Sequence, residues 1–258
     1  MGDHSSRHEQ TKGLTSVIFT ESSNAHPSFI PDAMKPRILC FGDSLTWGSD
    51  PAISGHRLPG RWPRVLQATL GPGYEVIEEG QGGRNIATDD IPEGGKNGIK
   101  YIRPCLETHN PFDMLIIMLG TNDLKRKFSY SSQDVAWSME RFLQTVLTHR
   151  QYSSATHYDI LLISPPPMNE GLMTSWLGDV FEYDVGLKKS TELKKWYEEL
   201  AQRYGIGFLD AGQCCESSQL DGIHLDAENH RKLGEAVVEY VKGTLALGSQ
   251  DFMKGRNE

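Results

Sequence analysis

Phe41-Gly42-Asp43-Ser44-Leu45-Thr46-Trp47-Gly48 follows directly on a β-type run, Arg37-Ile38-Leu39-Cys40-Phe41. Together they describe a buried strand that gives way to a turn carrying a hydroxyl. Gly42 permits a sharp turn of the backbone. Ser44 then stands at the strand's carboxyl end, the edge where open α/β sheets place their chemistry. Taken alone, Gly-Asp-Ser is also an ordinary turn in which Ser44 opens a helix, and a motif this short favours that reading. The rest of the chain decides between the two.

Working outward, strand patterns alternate with helical ones. The run 37–41 is the first strand, 74–78 the second, 113–119 the third, 158–163 the fourth and 207–210 the fifth. The third is apolar on both faces, which marks a central strand of a parallel sheet. Helical patterns fall at 62–70, with Pro63 in the first turn, and at 99–109, 132–149, 191–204 and 227 to about 245. Asp226 suits the N-cap of the last. Residues 168–189, with Met173, Trp176, Phe181 and Tyr183, read as irregular. Strictly alternating elements predict a parallel sheet covered on both sides through right-handed crossovers. We expect a flavodoxin-like three-layer α/β/α sandwich with five parallel strands in the order 2-1-3-4-5. In that order the ends of strands 1 and 3 flank the switch point where a site belongs.

Composition narrows the function. The chain has 258 residues, 38% of them hydrophobic, enough for one sizeable α/β domain. We place that domain at 35–246, after a polar, flexible extension (1–34) whose only apolar patch is Val17-Ile18-Phe19, and before a tail (247–258). A net charge of −8, from 34 acidic and 26 basic residues, argues against a nucleic-acid partner. The longest purely apolar run, 114–119, is far short of the ~20 residues that span a bilayer, so no membrane partner is expected. The first ten residues are polar and carry no leader pattern. Cys40, Cys105, Cys214 and Cys215 show no metal-type spacing, and free thiols fit a cytoplasmic protein.

Chemistry-bearing residues collect at the strand ends. Ser44 follows strand 1, Gly83 follows strand 2 and Asn122 follows strand 3; Asp221-Gly222-Ile223-His224 lies between strand 5 and the last helix. A serine hydroxyl is a weak nucleophile until a base takes its proton. His224 can do this through one ring nitrogen while Asp221 orients the other and stabilises the imidazolium. Acyl transfer also needs donors for the oxyanion, and the N–H groups of Ser44 and Gly83 with the Asn122 amide supply three. Each residue has a plainer alternative: a turn at Gly82-Gly83, an Asx-turn at Asn122, a helix-start carboxylate and a surface histidine at Asp221 and His224. Asp123 reads as a structural cap, and His109, His149, His157 and His230 as structural or exposed. Four signals in order, each at a strand end, outweigh those alternatives.

Gly42-Asp43-Ser44-Leu45, Gly83, Gly120-Thr121-Asn122-Asp123 and Asp221-x-x-His224 resemble the four blocks of the SGNH (GDSL) hydrolases. The match is closest to the bacterial arylesterase and acyltransferase branch, through strings such as Ile38-Leu39-Cys40-Phe41, Val76-Ile77-Glu78-Glu79-Gly80 and Ile116-Ile117-Met118-Leu119. The resemblance covers about residues 35–245. It implies a Ser–His–Asp esterase with no metal or other cofactor, acting on small acyl esters, and a homo-oligomer, with acyl transfer to alcohols in some members. Leu45, Trp47, Trp176 and Phe181 are the expected pocket residues. Ser49 departs from the branch, standing where relatives often carry a bulky aromatic, and the extension before Lys35 has no counterpart. Within the family, a carbohydrate acetylesterase, thioesterase or lysophospholipase is the rival reading. A flavodoxin-like nucleotide- or flavin-binding module is the rival outside it. That module lacks its Gly-x-Gly-x-x-Gly and phosphate loop here.

Overall fold

The chain alternates β1 (Arg37–Gly42), α1 (Ser44–Trp47), α2 (Trp62–Leu70), β2 (Glu75–Gly80), α3 (Gly98–His109), β3 (Met114–Met118), α4 (Ser132–Tyr152), β4 (Asp159–Ser164), α5 (Leu177–Phe181), α6 (Tyr183–Tyr204), β5 (Gly207–Asp210) and α7 (Ala227–Lys254). This computed structural model describes residues 35–152 and 158–254, the last nine as backbone only. The 1–34 extension with its apolar patch, His157 and residues 255–258 lie outside the described residues.

The five strands are parallel and run in the order β2-β1-β3-β4-β5, so the flavodoxin-like α/β/α arrangement read from the sequence is the one observed. Alternation along each strand feeds two cores. Leu39, Phe41, Leu115, Ile117 and Leu119 face one side, where α3, α4 and α6 cover them with Leu106, Phe142, Leu143 and Tyr197. Ile38, Cys40, Met114, Ile116 and Met118 face the other, under α2 and α7 with Trp62, Leu66, Leu233 and Val237. Every residue of β3 is buried, as expected for a strand covered on both faces. His230 joins the second core: it is fully buried, its Nδ1 accepts the first helical N–H of α2 from Trp62 at 3.3 Å, and burial lowers its pKa to about 4.

Strand register sets the site. Gly42 pairs with Gly80 on one side and Met118 on the other, so β1, β2 and β3 end level. Ser44, Gly83 and Asn122 follow those ends within a few residues and therefore emerge together. The turn at β1 is tight: a Cβ on Gly42 would come within 2.0 Å of Thr46 Oγ1 and 2.7 Å of Met118 O. Only glycine lets α1 fold back onto the strand ends this closely.

Residues 168–189 are more regular than their sequence suggests. A 3-10 helix (Glu170–Thr174) and α5 lead into α6, which begins at Tyr183 rather than near Thr191. Gly186 in its first turns lowers local helix propensity. The compensation is tertiary: Gly186 is buried, and a Cβ there would approach Phe181 O at 3.0 Å. The last helix also runs further than the sequence pattern, to Lys254, with Asp226 Oδ1 accepting the Asn229 N–H at 2.9 Å as its cap.

Candidate active site

Asp43 governs the turn that presents Ser44. Its side chain caps α1, accepting the Leu45 N–H at 2.9 Å. Ser44 thus opens a helix, as the plainer reading has it, and still holds its hydroxyl toward a partner. Ser44 Oγ lies 3.0 Å from His224 Nε2, across 180 residues of sequence. His224 Nδ1 lies 2.6 Å from Asp221 Oδ2. Asp221 Oδ1 accepts the N–H groups of Ile223 and His224 at 3.0 and 2.9 Å, which fixes the carboxylate's rotation. Burial pushes the Asp221 carboxyl up, but the bond to His224 and these two N–H groups outweigh it and leave the pKa below the ordinary value. Asp221 is therefore a carboxylate at neutral pH.

The loop carrying Asp221 and His224 is closed on itself and tied to its neighbours. Ser218 N–H donates to His224 O at 2.7 Å and Gly222 N–H to Ser218 O at 2.8 Å. Gly222 has φ of +78° and packs against Leu172, whose N would lie 2.2 Å from any Cβ. Asn169 N–H donates to Gly222 O at 3.1 Å, so the segment after β4 braces the His224 loop.

Opposite His224 stand the donors. Ser44, Gly83 and Asn122 border one cavity of about 560 Å³. Among the described residues, neither the Ser44 nor the Gly83 N–H has a protein acceptor. Gly83 has φ of +78°, a conformation that favours glycine, and Glu93 Oε2 lies within 2.5 Å of where a Cβ would stand. Asn122 Nδ2 donates to Arg84 O at 3.2 Å and to Asp43 Oδ2 at 3.3 Å. Both bonds are long, so an oxyanion would compete for protons already shared.

Three residues hold this side together, two of which, Asp43 and Arg84, sequence reasoning gave no such role. Asp43 links the α1 cap to Asn122; burial raises its pKa to about 6, against the Leu45 N–H, His224 and Arg84. Arg84 is buried, donates to Gly42 O at 2.9 Å and to Glu79 O, and stacks over Phe41 at 4.2 Å, pinning the Gly83 turn to the end of β1. Asp123, expected as a structural cap, accepts the Ile86 N–H with both oxygens at 3.1 and 3.0 Å; burial raises its pKa to about 8. The signal for Arg84 was a charged residue set directly after a Gly-Gly turn. Nothing local marked Asp43 as bridging to Asn122.

The expected pocket residues divide. Trp176 and Phe181 border the cavity, with Leu177, Val180 and Ile223. Leu45 does not: α1 turns it into the core beside Trp62 and Leu66. Trp47 is also outside the lining, its ring under the Arg57 guanidinium at 5.4 Å. A charged group sits at the cavity's other wall, where Lys125 Nζ meets Glu93 Oε1 at 2.8 Å and Lys127 Nζ meets Asp90 Oδ2 at 2.5 Å.

Although the cysteine spacing suggested no metal ligands, Glu79, Cys105 and His109 bring their donor atoms within 4.8 Å of one another. Burial and Glu79 raise the Cys105 pKa to about 12, which disfavours the thiolate a metal needs. Glu79 already bonds His109 Nε2 at 2.7 Å and Tyr101 Oη at 3.2 Å. None of the three borders the cavity with Ser44.

A family model described as GDSL-like lipase/acylhydrolase matches residues 40–232. The chain belongs to that family. An aryl esterase of M. smegmatis is 40% identical, with a TM-score of 0.75 over 81% of this chain and 99% of that one. A carbohydrate acetylesterase from Sinorhizobium meliloti is 37% identical, with a TM-score of 0.74 over 81% and 100%. A second family member of that kind from the same organism is 34% identical, with a TM-score of 0.73 over 82% and 99%. No curated protein matches the chain. Membership of this esterase family makes the protein a hydrolase acting on esters. No helix among the described residues is long and apolar enough to cross a membrane.

Proposed function

We propose that the protein is a serine esterase that hydrolyses short-chain acyl and aryl esters through an acyl-enzyme on Ser44. The observation that carries this reading is the unbroken line Ser44 Oγ, His224 Nε2, His224 Nδ1, Asp221 Oδ2, opening on a cavity that also holds Gly83 and Asn122. With Nδ1–H donating to the Asp221 carboxylate, Nε2 is left as the acceptor for the Ser44 proton. The Ser44 Oγ–carbon bond forms, the proton passes to His224, and the carbonyl oxygen takes the negative charge. The Ser44 and Gly83 N–H groups meet that charge, with Asn122 beside them. Collapse breaks the bond to the alcohol, which leaves with the His224 proton. Water, or a second alcohol, then repeats the sequence on the acyl-enzyme.

Asn122 belongs to the step in which charge develops. Asn122→Ala is expected to lower kcat by roughly 10²–10³ and to leave KM within a few-fold, because the oxyanion exists only near the transition state. Steady-state kinetics on an aryl acetate read this directly. A variant changed only in KM would reassign Asn122 to substrate positioning.

Trp176, Leu177, Val180 and Phe181 give the cavity of about 560 Å³ an apolar side. It suits a short acyl chain and holds an organic alcohol more readily than water. Vinyl acetate incubated with benzyl alcohol in buffer is expected to yield acetate together with benzyl acetate, the ester fraction rising with alcohol concentration. Turnover is expected to fall as the acyl chain lengthens. Acetate alone at every alcohol concentration would leave a plain hydrolase, and faster turnover of long chains would refute the short-chain reading.

A further inference from the structure

The peptide between Gly82 and Gly83 carries the Gly83 N–H, one of the donors that the esterase reading assigns to the oxyanion. Gln81-Gly82-Gly83-Arg84 is a tight turn closed by the Arg84 N–H, which donates to Gln81 O at 3.1 Å. Of its four residues only Gly83 has a positive φ, +78°. That is the pattern of a type II turn. A type I turn shares the ends and the closing hydrogen bond, and differs by a rotation of the central peptide alone. Glycine at both central positions puts no side chain in the way of that rotation. The chemical consequence is large. In a trans peptide the C=O and N–H point in opposite directions. A flipped 82–83 peptide would therefore turn the Gly82 carbonyl oxygen toward the cavity in place of the Gly83 N–H, and a lone pair would face the developing negative charge.

We infer that Lys96 is a positioning residue that holds this peptide in its donating orientation, a role that rests on the esterase reading above. Lys96 Nζ donates to Gly82 O at 2.8 Å. Among the described residues no other donor meets that oxygen. Gly82 and Gly83 border the cavity and Lys96 does not, so the lysine takes the carbonyl from behind. A flip would break a charge-assisted hydrogen bond. The same bond polarises the peptide and strengthens the Gly83 N–H as a donor. Lys96 is itself held in place. Its carbonyl accepts the Asn85 N–H at 2.8 Å, just past the turn. The chain before it is closed by the Gly94 N–H, which donates to Asp90 O at 2.7 Å, and anchored by Lys125 Nζ, 2.8 Å from Glu93 Oε1. Glu93 Oε2 and Lys96 Cε lie 2.5 and 3.7 Å from where a Gly83 Cβ would stand, so both side chains pack on the turn. Lys125 shares the loop after β3 with Asn122, so the Glu93 pair ties the loop of one donor to the loop of another.

Lys96→Met keeps much of the side chain's length and removes its donor. It is compared with wild type on an aryl acetate and on the matching aryl thionoacetate, in which sulfur replaces the carbonyl oxygen. Sulfur is the weaker acceptor, so donors placed for an oxyanion favour the oxygen ester. On the acetate the variant is expected to lose about tenfold or more in kcat, up to the roughly 10²–10³ that a single oxyanion donor supplies. KM is expected to stay within a few-fold, because the held N–H is engaged only near the transition state. The loss on the thionoacetate should be smaller, so that the preference for oxygen over sulfur falls about tenfold. That preference is read from active molecules alone and does not depend on the folded fraction, so a less stable variant decides the matter equally well. An unchanged kcat overturns the role of Lys96. So does a change confined to KM, or an equal loss on the two esters, which would make Lys96 a general support of the fold. All three outcomes leave the esterase reading standing. Wild type that hydrolyses no ester overturns that reading and the role of Lys96 with it.

Discussion

Ser44→Ala is expected to remove ester hydrolysis, with kcat down by about 10³-fold or more, in a protein that still folds. The loss follows from Ser44 Oγ being the oxygen 3.0 Å from His224 Nε2, with no second hydroxyl bonded to that nitrogen among the described residues. Folding is spared because the hydroxyl does not hold the turn. Asp43 caps α1, and Gly42 admits the close approach of Thr46 and Met118 O. Alanine also suits the first position of a helix better than serine does. The measurements are kcat on an aryl acetate, labelling by a fluorophosphonate, and a thermal melt. Wild type should take one label per chain and the variant none, with melting temperatures close together. A loss of only a few-fold, or a label retained by the variant, would place the nucleophile elsewhere.

Asp221→Asn is expected to lower kcat by about 10⁴-fold, more than the loss of any single oxyanion donor. The two backbone N–H groups decide how the new amide sits. Ile223 and His224 donate to Oδ1, so the asparagine oxygen must stay there and its NH₂ must face His224 Nδ1. Nδ1 then becomes an acceptor, the ring proton moves to Nε2, and Nε2 can no longer take the proton of Ser44. The imidazolium also loses its counter-charge. Stability should respond with a definite sign. Asp221 has a folded pKa below its unfolded value, so its contribution is present above the unfolded value and lost as pH falls through the folded one. Wild type and variant are therefore expected to differ in urea stability at neutral pH and to converge in acid. Equal activity in the two proteins would end the triad assignment.

Local order was the legible part of this chain. The third strand declared itself as a run of apolar residues on both faces, and β5 and α2 fall on the residues that their patterns mark. Where the patterns misled, a tertiary contact had overridden propensity. Tyr183 to Ser190 lies in α6 despite Gly186, because that glycine packs against Phe181. Leu45 was expected at the pocket, yet one residue of helical rotation from Ser44 carries it into the core under α2.

By itself, the sequence determined the alternation of strands and helices, the edge of the sheet on which chemistry collects, and the residue types found there. Those follow from periodicity, turn chemistry and the handedness of crossovers, all of which act between near neighbours. Only the tertiary structure decided that Asp43, Asn122 and Arg84 form one hydrogen-bonded support, that Trp47 stands outside the cavity while Trp176 borders it, and that Lys96 reaches the Gly82 carbonyl. Each of these depends on where side chains from distant segments point once the sheet has aligned its strand ends. A sequence pattern carries no record of a cavity, because a cavity is the space that several packed elements leave between them.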